Sequence, residues 1–414
     1  MTIQTASLDN GLPVLFSPAP GTPRTAVCIT LRGGARTETH PGTAGLAARL
    51  LLKGTTTRTA EAIAEEIDRR ALQVHESSGP EHLMLRVTSL NGQLEAALQL
   101  AGDLLRHSTF AHLPKEAARL AGEIQSALDQ PRERARDLFI RAMFPAHPYG
   151  HTGSVVLRTL SALQVEQVRD WYYPQVGASR MGIVVVGDVD PDALLSVVAR
   201  SFADVPAAGA EHAAPVPQRV KPPLTVTEAK SEANQAQIYQ GWYTPGHAHP
   251  DRAPLAVLNT LLGAGGLSSR LFVELRDKRG LAYAVRSGFS TFSEVGLFSF
   301  YIGTSPDNIR RAIEGFAEQV ARVQEEAIPE EEVEHAKGHL RGEFVLGHET
   351  NTQRCTDFAV HHALGLGYDF STRFLEEIAA VTPADVQRVA RTYLSPPPVT
   401  AVVATGEALA AAGL

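Results

Sequence analysis

Two cysteines in 414 residues, Cys28 and Cys355, are too few for a disulfide framework and form no C-x-x-C pair. Their scarcity suits a reducing compartment, and both are expected in cores. No run of about eighteen apolar residues occurs, so no membrane-spanning helix is expected. The N-terminal MTIQTASLDNGLPVLF lacks a basic region followed by an apolar stretch. No secretory leader is read there, and cytoplasmic residence is the expectation. Basic charge is not in excess either: a net charge of −7 and a pI near 6.1 leave no electrostatic footprint for nucleic acid. There is no G-x-S-x-G elbow, no Cys–His nucleophile signature and no G-x-x-x-x-G-K-[ST] phosphate loop.

What is present is a chain of 44% hydrophobic residues, long enough for two or more domains. It reads as a duplication. LMLRVTSLNGQLEAAL (83–98) is a strand, a turn and a helix start, and FSFYIGTSPDNIRRAI (298–313) repeats that layout about 215 residues later. Each half closes with a helix and an apolar strand: LQVEQVRDWYYP before MGIVVVGDVD, and VTPADVQRVARTYLSP before VTAVVATGEA. A Pro- and Ala-rich stretch without periodicity separates the halves. The expected domains are 1–205 and 222–414, with a linker at 206–221.

Within each half, strands such as 26–31 and 237–242 alternate with amphipathic helices. In TAEAIAEEIDRR (59–70), Ala60, Ile63 and Ile67 fall at helical spacing, and Thr59 is the expected N-cap. The pattern predicts α+β domains with helices packed on a mixed sheet.

Residues 42–55 read GTAGLAARLLLKGT. They resemble the segment GTAHFLEHMLFKGT of pitrilysin/insulinase-type zinc peptidases. In that family an inverted His-x-x-Glu-His motif supplies two zinc ligands and a general base. Here those three positions hold Gly45, Ala48 and Arg49. Zinc requires imidazole, thiolate or carboxylate donors; Gly and Ala offer none, and an Arg cation repels the metal. No metal is therefore expected at this site. The resemblance places the family's third ligand near Glu123, which would be a lone carboxylate there; a solvated or paired helix Glu is the preferred reading. Arg49 has two readings: a charge facing a cavity and binding peptide carboxylates, or a long side chain reaching solvent, which is preferred.

Residues 263–285, GAGGLSSRLFVELRDKRGLAYAV, resemble the family's second-half segment GGGMSSRLFQELREKRGLAYSV at about fifteen positions without a gap. With HPYG at 147–150 and the matching order of segments, the resemblance covers nearly the whole chain. It implies two homologous α/β-sandwich domains forming half of a clamshell. Arg276 and Tyr283 match the family's Arg and Tyr that reach toward a zinc site and stabilise a developing oxyanion. The alternative is that Arg276 closes a helix and Tyr283 packs in a strand. The glycines Gly263, Gly265 and Gly266 precede a helix expected to begin near Ser268. An equivalent, longer loop serves substrate capture in a non-catalytic subunit of the family; a tight loop between two helices is the other reading here.

His335 and His339 stand at i, i+4 in a highly charged stretch that reads as a solvated face. His147, His151, His247, His249, His361 and His362 have no convincing set of partners in sequence. The resemblance implies a non-catalytic subunit. It would lend Arg276 and Tyr283 to a homologous partner that carries the zinc, for hydrolysis of unfolded peptides, with a homodimer formed in isolation. No metallopeptidase activity is expected of this chain alone. The rival reading is a catalytically inert, homodimeric structural or peptide-binding scaffold on the same fold.

Overall fold

The computed structural model describes residues 3–211, 214–231 and 233–414. It divides into two compact units, each built on one mixed sheet. The first sheet contains β1 (Gln4–Ser7), β2 (Pro13–Pro18), β3 (Arg24–Arg32), β4 (Gln73–Ser78), β5 (His82–Leu90) and β6 (Met181–Gly187), in the order β1-β2-β6-β3-β5-β4. The second contains β7 (Leu224–Ala229), β8 (Ala236–Pro245), β9 (Ala282–Thr291), β10 (Val295–Thr304) and β11 (Val399–Ala404), in the order β7-β11-β8-β10-β9.

The duplication is visible in this topology. β2 runs parallel to β6 as β7 does to β11, and the remaining ladders of both sheets are antiparallel. β5 leads into helix Leu94–His107 and β10 into helix Ile309–Glu325, as the repeated segments indicate. Helices Val165–Tyr172 and Pro383–Tyr393 likewise precede β6 and β11. Local chemistry sets the boundaries. The Thr59 hydroxyl accepts from Ala62 N–H at 3.2 Å and starts helix Ala60–Arg69. Thr382 and Asp385 form a capping box on helix Pro383–Tyr393.

The central strands MGIVVVG and VTAVVA are buried along their whole length, so both faces of each sheet need cover. One face of each is covered by helices from its own half. The other is covered by a helix from the opposite half of the sequence. Residues 345–371 belong to the first unit and residues 124–154 to the second. The units thus cross the expected boundaries 1–205 and 222–414, each by one segment.

Helix Asn351–Ala363 packs on β3 and β6, placing Cys355, Phe358 and Ala359 against Ala26, Cys28, Val184 and Val186. Both cysteines are fully buried there as free thiols, and Cys355 Sγ donates to Val184 O at 3.2 Å. Helix Pro131–Met143 packs on β7, β8 and β11, setting Ala135, Phe139 and Met143 against Tyr239, Val399, Ala401 and Val403. Close approach is needed: a Cβ at Gly241 would lie 2.3 Å from Phe139 Cζ. Among the described residues no helix is long and apolar enough to cross a membrane.

Gly241→Ala is therefore expected to destabilise the protein by about 1–3 kcal/mol through overpacking. Phe139→Leu added to it should recover part of the loss. Denaturant unfolding of the three proteins checks this, and an unchanged midpoint for Gly241→Ala would refute the tight packing.

Candidate functional site

Helix Thr43–Leu50 carries the altered motif. Its start is fixed by the Glu38 carboxylate, which accepts from Gly42 N–H at 3.1 Å and Ala44 N–H at 3.0 Å. Leu46, Ala47, Ala48 and Leu50 are buried, which leaves Gly45 and Arg49, one turn apart, on the more open face. A Cβ on Gly45 would meet nothing within 4 Å.

Arg49 neither reaches free into solvent nor stands ready for a peptide carboxylate. Its guanidinium is bidentate to Glu123, with Nη2–Oε2 2.5 Å and Nη1–Oε1 3.3 Å. Glu123, on helix Leu113–Asp129, also accepts from Arg119 Nε at 3.2 Å, so it is a paired helix carboxylate rather than a lone one. Arg49 holds the Glu123 carboxyl below its ordinary range through this hydrogen bond, against a smaller upward push from burial. Glu76 on β4 lies in the same field. Burial pushes its carboxyl up, while its own backbone hydrogen bond and the Arg49 charge oppose the shift.

A cationic side chain thus neutralises the carboxylate at the position that matches the family's third ligand. These residues do not fit zinc: two positions lack donors and the third is a cation. Among the described residues no group of three or more His, Cys, Asp or Glu could hold a metal ion.

The second motif is built differently. Residues Phe272–Lys278 form a π-helical turn, and Gly280, with φ +59, reverses the chain into β9. Leu275 and Leu281 are buried and fix the ends of this turn. Between them, the Arg276 guanidinium sits 4.4 Å from the Phe272 ring centre and 4.8 Å from that of Tyr283.

Tyr283 is the extra residue of a β-bulge: Gly303 pairs with Ala284 and Thr304 with Ala282, so Tyr283 opposes no residue. It is 81% exposed. The other cations of this segment are paired. Arg270 is bidentate to Glu332 at 2.7 Å, Lys278 meets Glu274 at 2.8 Å, and Arg279 meets Glu318. Among the described residues the Arg276 guanidinium has no hydrogen bond or ion pair, only the two ring faces. The structure brings the two expected residues together and leaves the polar edges of both available.

The glycines divide by role. A Cβ on Gly263 would stand 2.3 Å from Ser287 N, and one on Gly265 2.7 Å from Thr260 O, so both serve packing. Gly266, at φ +75, opens an exposed turn in which Leu267 is 73% exposed. The expected helix start at Ser268 moves later, because 266–268 form this separate turn.

Six of the histidines singled out in the sequence are occupied structurally. His335 lies 3.3 Å from Ser268 Oγ and His339 3.3 Å from Glu343. His147 and His249 accept from backbone N–H groups of Tyr149 and Asp251. His362 packs over Gly182, while His361, on another face, lies 3.4 Å from Asp357.

Sequence reasoning missed the cluster around Asp357. That carboxylate accepts from Ser371 Oγ at 2.8 Å and lies 3.2 Å from His348 Nε2. Burial pushes Asp357 up, but His361, Ser371 and His348 together bring it below the ordinary range. It is no catalytic triad, because His361 directs the same Nδ1 at both Asp357 and Ser371.

Known proteins match along the chain. Residues 14–153 match the family model Insulinase (Peptidase family M16), and residues 162–340 match Peptidase M16 inactive domain. An uncharacterized zinc protease of Mycobacterium leprae is 33% identical over 349 residues, 83% of this chain and 78% of its own length. Another, of Streptomyces coelicolor, is 30% identical over 97% of this chain and 89% of its own. The fold is shared with a peptidase M16 inactive domain from Pseudomonas fluorescens, at TM-score 0.87 and 21% identity over 98% of each chain. It is shared equally with a protease from Helicobacter pylori, at TM-score 0.87 and 21% identity over 97% of this chain and 99% of that one. With these relatives and the altered motif at its expected place, the chain belongs to peptidase family M16, the insulinase family.

Proposed function

We propose that this chain is the non-catalytic subunit of a heterodimeric zinc metallopeptidase that hydrolyses unfolded peptides. The homologous partner carries His-x-x-Glu-His and the metal; this chain contributes Arg276 and Tyr283. The observation that carries the reading is an asymmetry. The metal positions are filled by Gly45, Ala48 and an Arg49 locked to Glu123, while Arg276 stays unpaired beside an exposed, bulge-presented Tyr283. Decay of an unused protein would erode both motifs.

Attack of water on a peptide carbonyl builds negative charge on its oxygen. A phenol O–H and a guanidinium fixed in advance favour that oxyanion over the neutral carbonyl. Stacking between Phe272 and Tyr283 orients the guanidinium plane before substrate arrives, so less reorganisation is left for the reaction. The exposed turn at Gly266–Ser268 offers backbone and the Leu267 side chain to an extended peptide.

The test is hydrolysis of an unfolded peptide by this chain, by a homologous chain that carries His-x-x-Glu-His, and by their mixture. Activity in the mixture alone is expected. A stable but inactive complex would favour the inert scaffold, and turnover by this chain alone would refute the division of roles. In the active mixture, Tyr283→Phe should lower kcat about 10- to 100-fold with a smaller change in KM. Unchanged kcat would remove the oxyanion role.

Gly45→His with Arg49→His should create zinc affinity, at about one ion per chain, because position 49 already faces Glu123. Glu123→Gln added to these two should abolish it. Zinc retained in that triple variant would show that Glu123 is not a ligand position.

A further inference from the structure

The uncovered end of the second sheet holds a second cationic feature. The strand registers place Ala401, Tyr239, Tyr301 and Arg286 in one row across β11, β8, β10 and β9. Helix Pro131–Met143 covers the first part of this row, with Phe139 stacked on Tyr239 at 5.4 Å between ring centres. At the start of that helix, the Arg132 guanidinium stands 5.1 Å from the centre of the Tyr301 ring. Arg286 approaches the same ring to 5.5 Å. The ring itself is anchored, since Tyr301 O–H donates to Gln237 Oε1 at 2.7 Å.

Two guanidinium groups near one phenol ring repel each other, and an anion bound between them would offset that repulsion. Two other cations of the helix have found carboxylates, Arg134 with Glu228 at 2.6 Å and Arg141 with Asp137 at 3.1 Å, while Arg136 has none among the described residues. Among the described residues neither Arg132 nor Arg286 has one within ion-pair distance, and Arg132 Nε is buried without a hydrogen-bond partner. Neither phenol supplies negative charge. Burial, with Tyr239 beside it, pushes Tyr301 up to about 12, and burial also raises Tyr239. Nearby Glu133 is outnumbered by Arg132 and Arg136, with Arg286 beside the Tyr301 ring.

Planar guanidinium forks held by ring stacking match the two oxygens of a carboxylate. Arg286 also lies on the strand that presents Tyr283. Three residues further along, it is about 10 Å away, a distance an extended peptide spans in about three residues.

We propose that Arg132 and Arg286, seated on Tyr301, form a subsite for an acidic side chain of the peptide substrate. This gives the complex a preference for peptides bearing Asp or Glu a few residues from the bond cut. The inference rests on the peptide-binding reading above.

The test uses this chain alone and two fluorescent unfolded peptides that differ only by Glu or Gln at one position, with binding followed by anisotropy. The Glu peptide should bind about tenfold more tightly at low salt, and the preference should shrink as salt is raised. Arg286→Gln should remove most of the preference, and so should Arg132→Gln. The unfolding midpoint of each variant shows that its fold is kept. Equal binding of the two peptides, or a preference that survives both substitutions, would overturn the subsite. Displacement of the Glu peptide by inorganic phosphate or glutarate at the peptide's own concentration would assign the site to a small anion and overturn it equally. Turnover in the mixture tests the subunit role separately, so either conclusion can fail without the other.

Discussion

A sheet whose central strand is apolar on both sides must be covered on both sides, and this requirement organises the whole chain. MGIVVVG and VTAVVA leave no solvent-facing residue, and each half has enough helices of its own for one face. The other face is closed by a helix lent from the far half of the sequence, Asn351–Ala363 in one direction and Pro131–Met143 in the other. Burying a side chain such as Phe139 contributes on the order of 1.5–3 kcal/mol, so each lent helix is held by several such contributions. The halves are duplicated in sequence and interleaved in space. That interleaving places Arg132, a first-half residue, over a second-half tyrosine.

The same cores aim the site residues. Leu275 and Leu281 are locked into the second unit, so the short turn between and beyond them has little freedom in where it presents Arg276 and Tyr283. The bulge at Tyr283 removes that residue from the ladder and turns it outward. In the first unit, Glu38 fixes the first turn of helix Thr43–Leu50, which then holds Arg49 in register with Glu123. One motif has exchanged its metal-ligating and general-base side chains for Gly45, Ala48 and Arg49, while the other keeps an arginine and a tyrosine side by side.

Much of this was legible in the chain. Repeated strand–turn–helix segments, the Thr59 cap and uniform apolar strands are local signals, and the structure places those elements where they were read. What stayed hidden is non-local. Helical periodicity shows that 131–143 and 351–363 have apolar faces but not which sheet each one covers. The ion pair of Arg49 with Glu123 had a trace in sequence, a cation in one ligand position and a carboxylate about 75 residues on, but only proximity turns two charges into a pair. The bulge at Tyr283 depends on how β10 pairs with β9 and has no signature in β9 alone. Gly263 and Gly265 read as ligand-facing because glycine is permissive; their neighbours Ser287 and Thr260 show that crowding is the reason.

The pairing of Arg49 with Glu123 has a further consequence for how the protein meets its surroundings. At this position the cation is encoded rather than acquired: it is translated with the chain, present from the moment of folding and beyond the reach of any chelator. Metal scarcity, or exchange of one divalent ion for another, leaves the charge of this helix face unchanged. A relative that recruits its cation from the cell depends on supply; here the supply is the gene itself.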